Sequence, residues 1–337
     1  MQRRRDPVER ADEESRDLYD VSTWEPRSAV DHLAYSVYNA INYGLQTIVL
    51  AVAVVITLFL LIQPAILVLE APSLAVFFGL SVVPAGLLAA FIWYSDITES
   101  EPLSLLVATF VLAVLFATFA AVVNSVVGPR LEAIPIIGTA LFFYLIVGPV
   151  EETVKLLAVR VFAYRSETFD AVIVGAVYGA VAGLGFAAIE NAIYIASTVA
   201  EAQAEVGTVS AATGIATVRA LVGPGHVIYS AIAGYYLGLA KFNREYAGPL
   251  VIKGLLIAAF VHGTYNLTVG FAPALIVAVT PLGPGVAFIS YVIGFNLLIG
   301  YYLYRKIVRY RRTYRAVRDD TSGPPTPELT EFDPPRR

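Results

Sequence analysis

Uninterrupted apolar runs constrain this chain more than any other feature. The stretch from 44 to 69 and seven later ones approach or exceed the roughly 20 residues that a helix needs to cross the hydrocarbon core of a bilayer. Charged residues make up only 15% of the chain, against about 25% in soluble domains, and 57% are hydrophobic, so these runs read as membrane spans rather than core helices. Eight spans are expected, at 44–69, 73–95, 103–127, 134–163, 171–198, 212–240, 250–270 and 282–304, with Pro and Gly at most joints. The expected fold is all-α, a polytopic membrane helix bundle of about eight transmembrane helices in the cell membrane. The last span is the least regular: "FAPALIVAVTPLGPGVAF" reads equally as a loop, a re-entrant piece or part of a span.

The flanks differ from the runs. Residues 1–43 hold nine acidic residues and six Arg and read as a charged cytoplasmic N-terminal segment. Residues 44–305 form the transmembrane domain, and 306–337 a basic juxtamembrane flank followed by an acidic, Pro-rich tail. Both ends read as solvated and disordered in part. Because the first run begins only near Tyr43, it serves as the insertion signal and no cleavable signal peptide is expected. Orientation follows Lys and Arg. "YRKIVRYRRTYRAVR", "KFNRE" and Arg160 with Arg165 share one side, and Arg3, Arg4 and Arg5 place the N-terminus there too. Both termini are therefore expected in the cytoplasm, with the loop around Glu201 and Glu205 outside. Gly175, Gly179 and Gly183, and then Gly234 and Gly238, recur every four residues, which suits close helix packing.

Polar residues interrupt the runs at a few places. "VGPVEETVKLLAVR" sets Glu151, Glu152 and Lys155 within five positions. A charge near the bilayer centre costs about 2.5–3.5 kcal/mol on insertion scales, so these groups must face protein or water. Lys155 neutralises one glutamate and leaves the other. Glu190 and Asn191 follow in "GLGFAAIENAIY", His226 in "RALVGPGHVIYSAIAGYYLG", and His262 with Asn266 in "FVHGTYN". The plainer reading is a buried ion cluster that only fixes helix packing, but two histidines and three glutamates in one block of helices favour chemistry. Counted at about 1.5 Å per residue from the cytoplasmic boundary, Glu151 and His262 lie about 18 Å deep and His226 about 21 Å. Glu190 comes out near 28 Å and joins them only if its helix starts later, near Ala176.

Four motifs in this order resemble the PrsW family of intramembrane proteases, within the wider clan of CAAX-prenyl endopeptidases and Abi proteins. They are "EETVK" at 151–155, "FAAIEN" at 186–191, His226 in "GPGHVIYSAIAGYYLG" and "HGTYN" at 262–266; "WYSDITESEP" at 93–102 matches the family's acidic link. The resemblance covers roughly 75–270. It implies an eight-helix type of core and hydrolysis of peptide bonds in membrane-anchored proteins, such as anti-sigma factors in bacterial members.

The chain has no Cys and no GxSxG, HExxH or GxGD motif, so a water nucleophile is the natural choice. The expected site comprises Glu151, Glu152, Glu190, His226, His262 and Asn266, supported by Lys155 and Asn191. Glu151 or Glu152 activates the water, with Glu151 preferred and Glu152 paired to Lys155. His226 holds the water or protonates the leaving amine, and His262 with Asn266 faces the oxyanion. Glu190 and Asn191 shape or charge-balance the site. A zinc version would draw on His226, His262, Glu190 and Glu151; with no short-spaced ligand pair in the sequence, the metal-free version is preferred. The bilayer and a membrane-anchored protein substrate are the expected partners, and no nucleic acid is. The alternatives are a proton-coupled transporter and a non-catalytic membrane scaffold.

Overall fold

The computed structural model describes residues 17, 25–97 and 101–321, with backbone alone at 41–42, 203–206 and 318–321. Among these residues there is no strand. The helices are α1 (Ala29–Glu70), α2 (Leu74–Tyr94), α3 (Leu103–Glu132), α4 (Gly138–Leu141), α5 (Gly148–Val161), α6 (Val172–Val206), α7 (Thr208–Phe242), α8 (Ala247–Val269), α9 (Ala272–Val279) and α10 (Pro284–Thr321). Seven of them, α1, α2, α3, α6, α7, α8 and α10, are long and apolar enough to cross a membrane. The chain divides into compact units of residues 1–55 and 56–337. Most of the N-terminal segment expected to be disordered in part, with the arginines at 3–5, and the tail beyond 321 lie outside the described residues, as do Thr98, Glu99 and Ser100 of the acidic link.

The expected span at 134–163 is helical from Gly138 to Val161, but in three pieces. Between α4 and α5 the backbone widens into a π-helical stretch, Phe142–Val147, where the N–H of Gly148 reaches the Phe143 carbonyl. Pro149 explains the widening, since it has no N–H for an ordinary helical bond and is best placed in a first turn, as here in α5.

Three boundaries differ from the sequence expectation. Helix α1 starts at Ala29, well before the apolar run, because Ser28 and Asp31 cap it reciprocally. The Asp31 N–H donates to Ser28 Oγ (3.1 Å) and the Ser28 N–H to Asp31 Oδ2 (2.8 Å). The loop expected around Glu201 shrinks to Gly207, whose φ of 79° suits glycine and turns α6 directly into α7. The ambiguous stretch near residue 275 resolves into short α9, a break at Thr280–Gly283, and α10, which carries the basic flank as helix to Thr321.

Helices α6 and α7 form the centre. In α6, 78% of the most apolar window is buried, against 17% in α10, so α6 is the inner helix and α10 a peripheral one. The spaced glycines make the α6–α7 seam. A Cβ at Gly175 would lie 2.2 Å from the Gly234 carbonyl oxygen, one at Gly179 2.2 Å from that of Ser230, and one at Gly183 2.4 Å from that of His226. No side chain fits there, and the backbones touch. The seam thus fixes the antiparallel register that places His226 beside Gly183. Gly148 abuts the Ala259 carbonyl in the same way, setting α5 against α8.

Candidate active site

The two adjacent glutamates of α5 have different surroundings. Glu152 is fully buried and satisfied. Its Oε1 accepts from Lys155 Nζ (2.7 Å) and His262 Nδ1 (2.9 Å), and its Oε2 from Ser230 Oγ (3.1 Å). Glu151 accepts on Oε1 from Asn124 Nδ2 of α3 (3.0 Å). Its buried Oε2 has no hydrogen-bond donor among the described residues; it lies 3.7 Å from His262 Nε2 and 3.8 Å from Lys155 Nζ.

These contacts set the imidazole protons. Glu152 can only accept in this arrangement, so His262 donates through Nδ1 and turns the lone pair of Nε2 toward Glu151. Lys155 Nζ also lies 3.0 Å from His226 Nδ1. An ammonium only donates, so Nδ1 accepts and the proton of His226 sits on Nε2, 2.9 Å from Glu190 Oε2. The two imidazoles meet edge to face, centroids 5.2 Å apart, and Phe186 lies under Lys155 at 4.0 Å.

Glu190 is held by an ion pair with Arg219 of α7. Arg219 also donates from Nε to Asn191 Oδ1 (2.8 Å) and stacks on Tyr194 at 4.5 Å. Asn191 turns away from the cluster, its Nδ2 donating to the Ser81 carbonyl of α2 (3.0 Å). A cavity of about 480 Å³ is lined by Glu151, Glu190, Arg219, His226, His262 and Asn266 together with apolar side chains; Glu152, Lys155 and Asn191 are not among its walls.

Glu190 meets His226 although α6 starts at Val172, so the later start near Ala176 is not needed. Counting depth along each axis ignored side-chain direction. On a helix the Cα–Cβ bond leans toward the N-terminus. In antiparallel α6 and α7, Glu190 leans back toward Phe186 and His226 toward Val222, so the two side chains approach across an offset of about 10 Å.

Sequence reasoning missed Arg219 and Asn124. Arg219 had a usable signal, an arginine inside an apolar span two turns before His226, which is a functional-site candidate by default. Asn124 in "AVVNSVV" had only its polarity, since no neighbour in sequence reveals that it meets Glu151 from another helix.

A sequence model described as "PrsW family intramembrane metalloprotease" matches residues 101–298, which contain the whole cluster. The chain belongs to the PrsW family. It is 31% identical over 193 residues to the "Protease PrsW" of Geobacillus kaustophilus, covering 55% of this chain and 76% of that one. It is 28% identical over 188 residues to the protein of the same name from Bacillus subtilis, covering 55% and 78%. The Halalkalibacterium halodurans protein of that name is 26% identical over 190 residues, covering 55% and 80%. No solved structure matches the chain significantly. This PrsW-family chain is an intramembrane protease and a multi-pass membrane protein of the cell membrane; the transporter and scaffold alternatives are not favoured.

The buried cluster fits a metal by donor type and distance. Ligand atoms of Glu151, His226 and His262 all lie within 4.8 Å of one another. Glu151 Oε2 and His262 Nε2 present open lone pairs; His226 offers Nε2 only once its proton moves to Nδ1, which requires Lys155 to leave that nitrogen. Charge fits too. Glu151, Glu152 and Glu190 face Lys155 and Arg219, which leaves one formal negative charge in the cluster for a cation or a proton to offset.

Proposed function

We propose that membrane-anchored proteins enter the cavity and that Glu151 drives hydrolysis of a peptide bond there. The observation that carries this reading is Glu151, a residue of the cavity wall whose buried Oε2 meets no donor among the described residues and lies 3.7 Å from His262 Nε2. Such an oxygen can orient a water, take its proton and later return it to the leaving amine. Glu152 acts on this chemistry through His262: by accepting from Nδ1 it holds the ring and its tautomer, and Lys155 and Ser230 hold Glu152. His226, its Nε2–H committed to Glu190 and Glu190 held by Arg219, shapes the wall beside the leaving amine, whose proton comes from Glu151. With the Nε2 of His262 unprotonated, Asn266 becomes the side-chain donor for the oxyanion.

The residues that would hold a metal are Glu151, His226 and His262, three protein ligands as in catalytic zinc sites. When bound, zinc would act as a Lewis acid on the scissile carbonyl and make a water acidic at neutral pH. The match to a family described as metalloproteases supports the metal version over the metal-free one, and in it Glu151 would serve as a ligand rather than as the base. The deciding measurement is metal content beside cleavage rate in purified protein, before and after chelation. Stoichiometric zinc with activity that falls on chelation and returns on zinc addition is expected; full cleavage at sub-stoichiometric metal would leave the glutamate mechanism alone.

Both termini face the cytoplasm in this proposal. The Lys241 ammonium bonds the carbonyls of Tyr164 (2.9 Å) and Ser166 (3.1 Å), so the basic ends of α5 and α7 lie together, as the positive-inside rule asks of one membrane side.

A further inference from the structure

Asn124 lies on the α3 wall of the cavity and outside every motif considered above. Its orientation is set by chemistry: Glu151 Oε1 can only accept, so the amide nitrogen faces it and the carbonyl oxygen points elsewhere. That Oδ1 is buried, and no donor among the described residues reaches it. A buried acceptor left without a donor costs about 1–3 kcal/mol, so this oxygen, carried by a residue of the cavity wall, needs an explanation.

The substrate supplies one. A helix hides its scissile carbonyls in its own hydrogen bonds, so a membrane-spanning segment must unwind locally before it is cut. The freed backbone N–H groups then have no water to bond in the hydrocarbon layer and must find acceptors inside the enzyme. Ala117 and Ala121 precede Asn124 on the same α3 face and also line the cavity, so an extended backbone can lie close to α3 there.

We propose that Asn124 is a substrate-positioning residue whose Nδ2 steers Glu151 while its Oδ1 accepts a backbone N–H of the unwound substrate. One amide thereby ties the position of the peptide to the position of the group that attacks it. This inference rests on the protease reading of the same cavity, and the test separates the two.

The probe is a synthetic leucine-rich peptide of about 20 apolar residues with lysine flanks and a central Ala-Gly pair, in phospholipid vesicles, its cut mapped by mass spectrometry. The peptide is then remade with single backbone esters, which delete one N–H each, at the four residues on either side of the cut. In the unaltered protein one ester away from the scissile bond should slow cleavage about tenfold. In Asn124→Ala cleavage of the all-amide peptide should be about 10–100-fold slower, and the effect of that one ester should shrink below about twofold, the signature of a broken pairwise contact. An ester effect of the same size in both proteins would overturn the inference and leave the protease reading intact. If Asn124→Ala fails to fold, the unaltered protein still decides, because the absence of any sensitive ester overturns the inference. An unaltered protein that cuts none of these peptides would overturn the protease reading, and this inference with it.

Discussion

Glu151 and Glu101 are both buried carboxylates with one oxygen that meets no donor among the described residues, yet they are set in different company. Glu151 opens on a cavity among two imidazoles, an ammonium and an amide. Glu101, just before α3, is closed over by the hydroxyl of Tyr178 and is no part of that cavity. An uncommitted oxygen becomes reactive where space for a water adjoins groups that move protons. Where a phenol bonds the other oxygen and that cavity is absent, the carboxylate ties the start of α3 to α6.

The largest effect that would break this comparison is at Glu151. Glu151→Gln keeps an acceptor for Asn124 and removes the carboxylate proposed as base or ligand, so cleavage of the probe peptide should fall about 100–10,000-fold while thermal unfolding in detergent stays nearly unchanged. Equal losses of stability and activity would instead make Glu151 a packing residue. Glu152→Gln should differ in kind. It leaves Lys155 and His262 without their carboxylate, and unfolding measurements should show a loss of about 3–5 kcal/mol beside the loss of activity.

A smaller effect tests whether the seam delivers the site. Gly179→Ala would place a Cβ 2.2 Å from the carbonyl of Ser230, the residue that bonds Glu152, so α6 and α7 must part. A destabilisation of about 1–3 kcal/mol with reduced cleavage is expected. Unchanged melting and turnover would show that the seam can relax.

The smallest effect concerns Glu101. Burial pushes its carboxyl up from 4.5 to about 7, with Asp96 and Asp170 acting in the same direction and Tyr178 and Lys241 against it. The folded chain therefore holds this proton more tightly than the unfolded chain does. The stability it contributes is complete below about pH 4.5 and is lost as pH rises through about 7. Melting curves at several pH values should show that slope, and Glu101→Gln should flatten it without changing turnover.

Much of the site was legible because its chemistry is costly in an apolar chain. Glu151, Glu152, Lys155, His226 and His262 stand out wherever they point. The partners that give each its state were not legible. Nothing in "EETVK" says that His262 lies on Glu152 and Asn124 on Glu151, because one residue of offset on α5 turns a side chain by about 100° toward another helix. The preference for a metal-free site had a similar origin: His226 and His262 are far apart in sequence, on different helices, and only packing brings them to ligand distance.

By itself the sequence determined that this chain lives in a membrane, roughly where its apolar spans run, and which glycine faces of α6 and α7 suit close packing. Hydrophobic length and residue size are local properties that need no partner to act. Only the tertiary structure decided that Glu190 reaches His226, that Arg219 holds Glu190, and that one of two neighbouring glutamates keeps an open oxygen. Those outcomes depend on the register and side-chain lean of antiparallel helices, and spacing along one helix carries no information about its neighbour.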